Sequence, residues 1–128
     1  MAKNPRQTPT QVAFPKRGEI FLVSFDPSLG HEIQKMRPAV VIQNDISNRY
    51  SPITIVAAIS SSFSDPPHPR EVIVEPGKSG LAKRSAVILN QIRSVDRQRL
   101  VKKLGYLDST TLKRVDEALK ISLGLIEI

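Results

Sequence analysis

A largely antiparallel, barrel-like sheet followed by one C-terminal amphipathic helix, an α+β domain that is mainly β, is the fold class this sequence predicts. Apolar, β-branched runs follow one another closely, with connections too short for repeated strand-helix-strand units. Proline, serine and aspartate clusters punctuate them. After Asp108 the apolar spacing changes to a helical stripe.

Gly18 to Phe25 (GEIFLVSF) is β-branched and aromatic enough for a strand, and Asp26-Pro27 stops it. Pro38 to Gln43 and Ile53 to Ser60 carry apolar residues on both faces, the pattern of central, covered strands. Between them the short polar segment Asp45 to Tyr50 (DISNRY) predicts a turn or a single helical turn. Ser61 to Pro69 (SSFSDPPHP), with three prolines and three serines, predicts an exposed loop. Arg70 to Glu75 is a further strand ending at Pro76-Gly77, and Ser85 to Val95 is long enough for a strand with a bend. Asp96 to Leu100 suits a short helix, and Gly105-Tyr106 reads as a break. Asp108 is placed to cap a helix from Ser109, with Leu112, Val115, Leu119, Ser122, Leu123 and Ile126 on one stripe.

The 128 residues, 40% of them hydrophobic, fit one domain with its own core. The first sixteen, with Pro5, Pro9 and Pro15 beside Lys3 and Arg6, lack the apolar block of a secretory signal and read as a flexible tail, leaving 17–128 as the domain. The absence of cysteine excludes a disulfide framework and thiolate metal sites, and fits a reducing, cytoplasmic setting. No apolar run reaches membrane-spanning length, so no membrane partner is expected. Nineteen basic against twelve acidic residues give a net charge of +7, which favours a polyanionic or acidic partner. Walker-type glycine loops, His-Glu-x-x-His helices and serine nucleophile elbows do not occur, so neither a metal nor another cofactor is expected.

The chemistry concentrates in Gly30-His31-Glu32-Ile33-Gln34-Lys35-Met36-Arg37-Pro38, which runs straight into the strand Ala39-Val40-Val41-Ile42. Pro38 pushes Arg37 out of the helical region and into an extended conformation at the mouth of a strand. Its planar fork of donors suits phosphate oxygens, although a solvated charge is the commoner role of an arginine beside a strand. Glu32, Gln34 and Lys35 offer an acceptor, an amide and a second cation on the same loop. His31 and His68 are the only histidines, and His68 sits among prolines. Ser60 ends a covered strand, where its hydroxyl can meet a phosphoryl oxygen or satisfy the backbone. Gln91 and Arg93 alternate with Ile92 and so share a side, with Asn90 on the other. Arg93, Arg97, Arg99, Lys102 and Lys103 gather positive charge within eleven residues, opposed only by Asp96.

Taken together, Arg17-Gly18-Glu19-Ile20, Gly30-His31-Glu32, Arg37-Pro38-Ala39-Val40-Val41, Asn44-Asp45, Ile55 to Ser60, Gln91-Ile92-Arg93 and Val95-Asp96 resemble the MazF/PemK family of toxins in order and spacing, from about Lys16 to Ile128. The resemblance implies the plasmid-maintenance-toxin fold, a small SH3-like barrel or antiparallel sheet with a C-terminal helix. It also implies a homodimer and metal-independent, ribosome-independent cleavage of single-stranded RNA at short motifs. A MazE-like antitoxin is the implied partner, with operator DNA reached only through it. The family's active-site arginine falls on Arg37 and its partner hydroxyl, usually threonine, on Ser60. Glu32, with His31 as the alternative, is the implied general base, and Gln34, Lys35, Arg49, Ser61, Gln91 and Arg93 are implied to hold RNA. Some members carry an aspartate where this chain has Asn90, and an amide cannot accept that proton. Two other functions stay open: gyrase poisoning by a toxin of the same fold, and RNA binding without catalysis.

Overall fold

The structure, a computed structural model, describes residues 14–25 and 36–127. Six strands form one antiparallel sheet: β1 (Glu19–Ser24), β2 (Met36–Val41), β3 (Ile53–Ser60), β4 (Glu71–Val74), β5 (Ser85–Asp96) and β6 (Leu100–Tyr106). Their spatial order is β4-β5-β3-β2-β1-β6, so the two apolar runs expected at the centre, β2 and β3, are central. The sheet is open, with no pairing of β4 to β6 among the described residues, in place of the closed barrel the resemblance allowed. It is nonetheless curled. Cross-strand contacts on one face span several strands, as described below.

Alternation of side chains divides the strands between two cores. On one face Ile20, Val40, Ala57, Ile59, Val72, Val87 and Leu89 form the main cluster, covered by helix α2 (Ser109–Ser122) through Val115 and Ala118. On the other face Val23, Ala39, Val41, Val56 and Val95 form a smaller cluster with Phe21, Phe25 and Leu100 packed against it.

Helix α1 (Asp45–Tyr50) is longer than a single turn because Asn44 caps it, its side chain accepting from Ser47 N at 2.8 Å. Asn48, fully buried, ties α1 to the sheet. Its Oδ1 accepts from Thr54 Oγ1 at 2.7 Å and from Gln43 Nε2 at 2.9 Å, while its Nδ2 donates to Gln43 O at 2.9 Å. Every hydrogen-bonding capacity of that buried amide that these neighbours can meet is met, as a desolvated polar group requires.

Strand β6 was not expected from the sequence. Gly105-Tyr106 read as a break and the lysines as part of a basic cluster, yet they suit an edge strand, where charge is tolerated and only one side needs partners. Gly105 is required there, since a Cβ would stand 2.1 Å from Lys78 O. The expected short helix after Asp96 is a single 3-10 turn, Arg97–Arg99, capped by Asp96 accepting from Gln98 N at 2.8 Å.

Helix α2 begins where the sequence placed it, with Asp108 accepting from Thr111 N at 2.8 Å. It ends sooner than the apolar stripe suggested. Gly124, with φ of +74°, donates to Ile121 O, and Leu125 N donates to Lys120 O, the paired bonds of a Schellman ending. Leu123 and Ile126 therefore leave the helical face and are exposed. The expected tail 1–16 also shortens at its inner end, where Pro15 is buried and Lys16 N donates to Glu19 Oε1.

Candidate active site

Arg37 is the second residue of β2, extended as its proline neighbour dictates, and exposed. It lies opposite Val23 of β1. On its other side β2 pairs with β3 through Ala39↔Ala58, Val40↔Ala57 and Val41↔Val56. That pairing ends at Ala39↔Ala58; two residues beyond it on each strand, with the same side-chain orientation, stand Arg37 and Ser60, the last residue of β3. Residues 23 apart in the chain thus come to the same end of the two paired strands. Small side chains, Ala39 and Ala58, form the last rung before them.

Among the described residues the Arg37 guanidinium has neither a hydrogen-bond nor an ion-pair partner. Its five donors are thus uncommitted toward every described residue. Ser60 Oγ is oriented by the turn that follows it: it accepts from Ser62 N at 3.0 Å and donates to Ser62 O at 3.1 Å. A hydroxyl has one proton, so donating to a phosphoryl oxygen means releasing the Ser62 carbonyl. Ser61, exposed, begins the proline-rich loop at the same end.

His31, Glu32, Gln34 and Lys35 lie outside the described residues. Of the rest, the structure sorts the sequence candidates into different places. Gln91 and Arg93 are both exposed, while Ile92 between them packs against the main core, as the alternation predicted. They follow an irregularity at which β5 opposes Ala58 with Ile88 but Ala57 with Ile92, so Leu89, Asn90 and Gln91 have no partner on β3. Arg49 is on α1, before β3 begins, and so lies at the opposite end of that strand from Ser60, roughly 25 Å away within one chain. Its guanidinium sits 5.9 Å from the Phe14 ring and 5.5 Å from the Tyr50 ring.

The basic stretch after β5 is largely engaged. Arg97 Nη1 donates to Ser51 O at 3.3 Å, Arg99 Nη1 to Ser24 O at 3.2 Å, and Lys103 pairs with Glu19 at 2.8 Å. Two of the recognition motifs also prove architectural. Arg17 donates through Nε to Ile42 O and through Nη2 to Asp116 of α2, both at 2.8 Å, while Asp45 accepts from Arg17 N at 2.7 Å. A pocket of about 850 Å³ lies at the Arg97 end, lined by Phe14, Phe21, Pro52 and Leu100 among others, and holds none of the candidate residues. Arg37, exposed, and Ser60, partly exposed, lie outside that pocket.

An open antiparallel sheet covered by one C-terminal helix, with an exposed arginine on β2 and a hydroxyl at the end of β3, defines a small α+β protein that is mainly β. Comparison with known proteins makes the family definite. Residues 16–123 match the family described as PemK-like, MazF-like toxin of type II toxin-antitoxin system, and the chain belongs to it. It is similar to the Endoribonuclease EndoA of Bacillus subtilis, with 43% identity over 112 residues that cover 88% of this chain and 97% of that protein. The fold matches the crystal structure of MazF from Deinococcus radiodurans, with a TM-score of 0.69, 26% identity, and 88% and 98% of the two chains covered. It also matches MazE-MazF from the same organism, with a TM-score of 0.74, 25% identity, and coverage of 89% and 99%. No helix among the described residues is long and apolar enough to cross a membrane.

Proposed function

We propose that this chain is a sequence-specific endoribonuclease, the toxin half of its pair, cutting single-stranded RNA at the Arg37–Ser60 end of the sheet. The observation that carries the reading is the exposed Arg37 guanidinium, without a partner among the described residues, at the same end of the β2–β3 pair as Ser60, in a chain of this toxin family. The named activity of the Bacillus subtilis relative supports it.

The chemistry is an internal displacement. The RNA 2′-oxygen forms a bond to the adjacent phosphorus while the bond to the 5′-oxygen breaks, leaving a 2′,3′-cyclic phosphate and a 5′-hydroxyl. One proton leaves the 2′-hydroxyl and one is gained by the departing 5′-oxygen. Arg37 stabilises the charge that grows on the phosphoryl oxygens, a task for which a guanidinium is well matched. Its pKa above about 12 makes it a poor proton donor near neutral pH, so its role is electrostatic. Ser60 donates to a non-bridging oxygen after turning from Ser62 O. Glu32, with His31 as the alternative, accepts the 2′ proton. Gln34, Lys35, Ser61 and Gln91 hold the strand. Arg49 serves the same ligand only where RNA extends beyond the cutting end.

The domain spans 17–128 together with Pro15 and Lys16 at the end of the tail, and acts in the cytoplasm as a homodimer. A MazE-like antitoxin, through an acidic segment, competes for the basic face, and operator DNA is reached only through that partner. The MazE-MazF assembly of the Deinococcus radiodurans relative supports an antitoxin as partner.

Cleavage of a long single-stranded RNA in EDTA, with fragment ends mapped, tests the reading. Motif-specific cuts ending in cyclic phosphate, lost in Arg37→Ala, are expected. An active-site-independent pattern, or no cutting by folded, antitoxin-free protein, overturns it.

A further inference from the structure

The two ends of the active face are joined by a contact that the chemistry above does not use. Phe25 follows β1, and Arg93 belongs to β5. In the sheet order these strands are separated by β2 and β3, the two strands that carry Arg37 and Ser60. Three interstrand spacings amount to roughly 14 Å on a flat sheet. Yet the Arg93 guanidinium lies 5.0 Å from the centre of the Phe25 ring, and its Nη2 donates to Phe25 O at 3.4 Å. Both residues are on the face of the smaller core: Arg93 stands opposite Val56, and Phe25 packs against that cluster. The contact is a strut across the curled face.

A second arginine supports the same point. The ladder between β1 and β6 runs only as far as Val23↔Leu100. Just beyond it, Arg99 Nη1 takes the Ser24 carbonyl at 3.2 Å in a partly buried bond. Carbonyls of two consecutive residues, Ser24 and Phe25, are thus held by guanidinium groups from the β5-β6 corner. Those two residues end the strand whose ladder with β2 includes Val23↔Arg37 and Ser24↔Met36.

We propose that Arg93, seated on Phe25 and seconded by Arg99, is a positioning residue that sets the place of Arg37 relative to Ser60. This rests on the catalytic role given to Arg37 above, and it replaces the direct RNA contact that the sequence suggested for Arg93. A planar guanidinium can stack on a ring and donate in its own plane at once, which an ammonium cannot. Its charge is fixed by the aromatic face, and its in-plane donor is directed to the backbone. Movement of the β1 end is transmitted by the ladder to Arg37, and displacement of a charge-stabilising group affects turnover more than substrate capture.

The test compares Phe25→Leu, Arg93→Gln and the double variant of the full chain, using a single-stranded RNA with one mapped cut site. Each single variant is expected to lower kcat about 10- to 100-fold with KM within about twofold, and the double variant to be no worse than the poorer single one. The salt dependence of RNA binding is expected to be unchanged, and amide exchange at the end of β1 and the start of β2 to be faster. Phe25→Leu keeps an apolar side chain and every charge, so it remains informative if Arg93→Gln folds poorly. If Arg93→Gln makes the salt slope shallower by about 0.7 while Phe25→Leu is like wild type, Arg93 is a phosphate ligand and the proposal is overturned. Wild-type kinetics in both variants also overturns it. Faster strand-end exchange in variants of a protein whose cutting does not depend on Arg37 would instead uphold the strut and reject the active-site reading beneath it.

Discussion

Arg37 and Ser60 are unequal partners. Arg37 brings a full charge to the phosphoryl group, so Arg37→Ala is expected to lower kcat by at least about 10²- to 10³-fold, read from cleavage of a defined RNA under single-turnover conditions. Ser60 brings one neutral hydrogen bond that must first be taken from Ser62 O, so Ser60→Ala is expected to cost only about threefold to tenfold. Ser60→Thr restores the β-branch that restricts rotation and is expected to retain or raise activity. Away from the site, Asn48 is the most consequential polar side chain. Asn48→Ala would strand the buried Thr54 hydroxyl and take a donor from the Gln43 carbonyl, while the Gln43 amide keeps its bond to Ile53 O. Urea unfolding is expected to show a loss of about 1–3 kcal/mol. Neither the buried network nor the Arg93 strut is visible as a motif. Asn48 lies in a segment that reads as polar turn, and its value comes from a threonine whose side chain is fully enclosed.

At the scale of elements, the edge strand and the C-terminal helix each depend on a backbone detail. Gly80 has φ of +74°, and a Cβ there would stand 1.9 Å from Leu104 O of β6, while Gly105 of β6 leaves the same lack of room toward Lys78 and Ser79. The two glycines let the 77–81 segment lie against β6, which is anchored by Tyr106 N donating to Lys78 O at 3.0 Å. Gly105→Ala is expected to destabilise by at least about 2 kcal/mol in thermal or urea unfolding, since backbone must separate to admit one methyl group. The N-terminus of α2 makes stability depend on pH. Hydrogen bonds from the Thr111 backbone, then from its side chain, hold the Asp108 carboxyl below its ordinary value of 3.8 against the opposing effect of desolvation, with Lys78 and Arg114 adding to the lowering. A carboxylate whose pKa is lower in the folded state stabilises the fold above its unfolded value and loses that contribution as pH falls through the folded one. Asp108→Asn keeps a capping acceptor without the charge. Its unfolding profile is expected to lose this part of the acid dependence below about pH 4, while the wild type weakens there.

Across the whole molecule, the net charge of +7 overstates the cations available to a ligand on one face. Arg17, Arg84, Lys103 and Lys120 are in ion pairs, and Arg97 and Arg99 hold backbone carbonyls. RNA affinity is therefore expected to fall with salt as a handful of phosphate contacts would dictate, each contributing about 0.7 to the logarithmic slope, and not in proportion to all nineteen basic residues. Equilibrium binding of a non-cleavable RNA over a range of salt measures that slope. The same redistribution of charge explains which parts of the sequence reading held. Strands β1 to β5 and helix α2 were legible because β-branched apolar runs bounded by turn residues, and a helical apolar stripe, report burial directly. Strand β6 was not, because an edge strand made of Val101, Lys102, Lys103 and Gly105 has no such pattern and forms only when β1 offers its free side.

By itself the sequence determined the local elements, the extended setting of Arg37 before Pro38, the cap at Asp108 and the family to which the chain belongs, since each depends on neighbours a few residues away or on motifs in order. The tertiary structure decided that Arg49 is at the far end of β3 from Ser60 and that Arg93 is turned to Phe25. It also decided that the cations after β5 are mostly engaged. These outcomes depend on strand register and on sheet curvature, which bring together groups separated by 20 to 70 residues. A side chain's own type cannot encode which distant carbonyl or ring will be there to receive it.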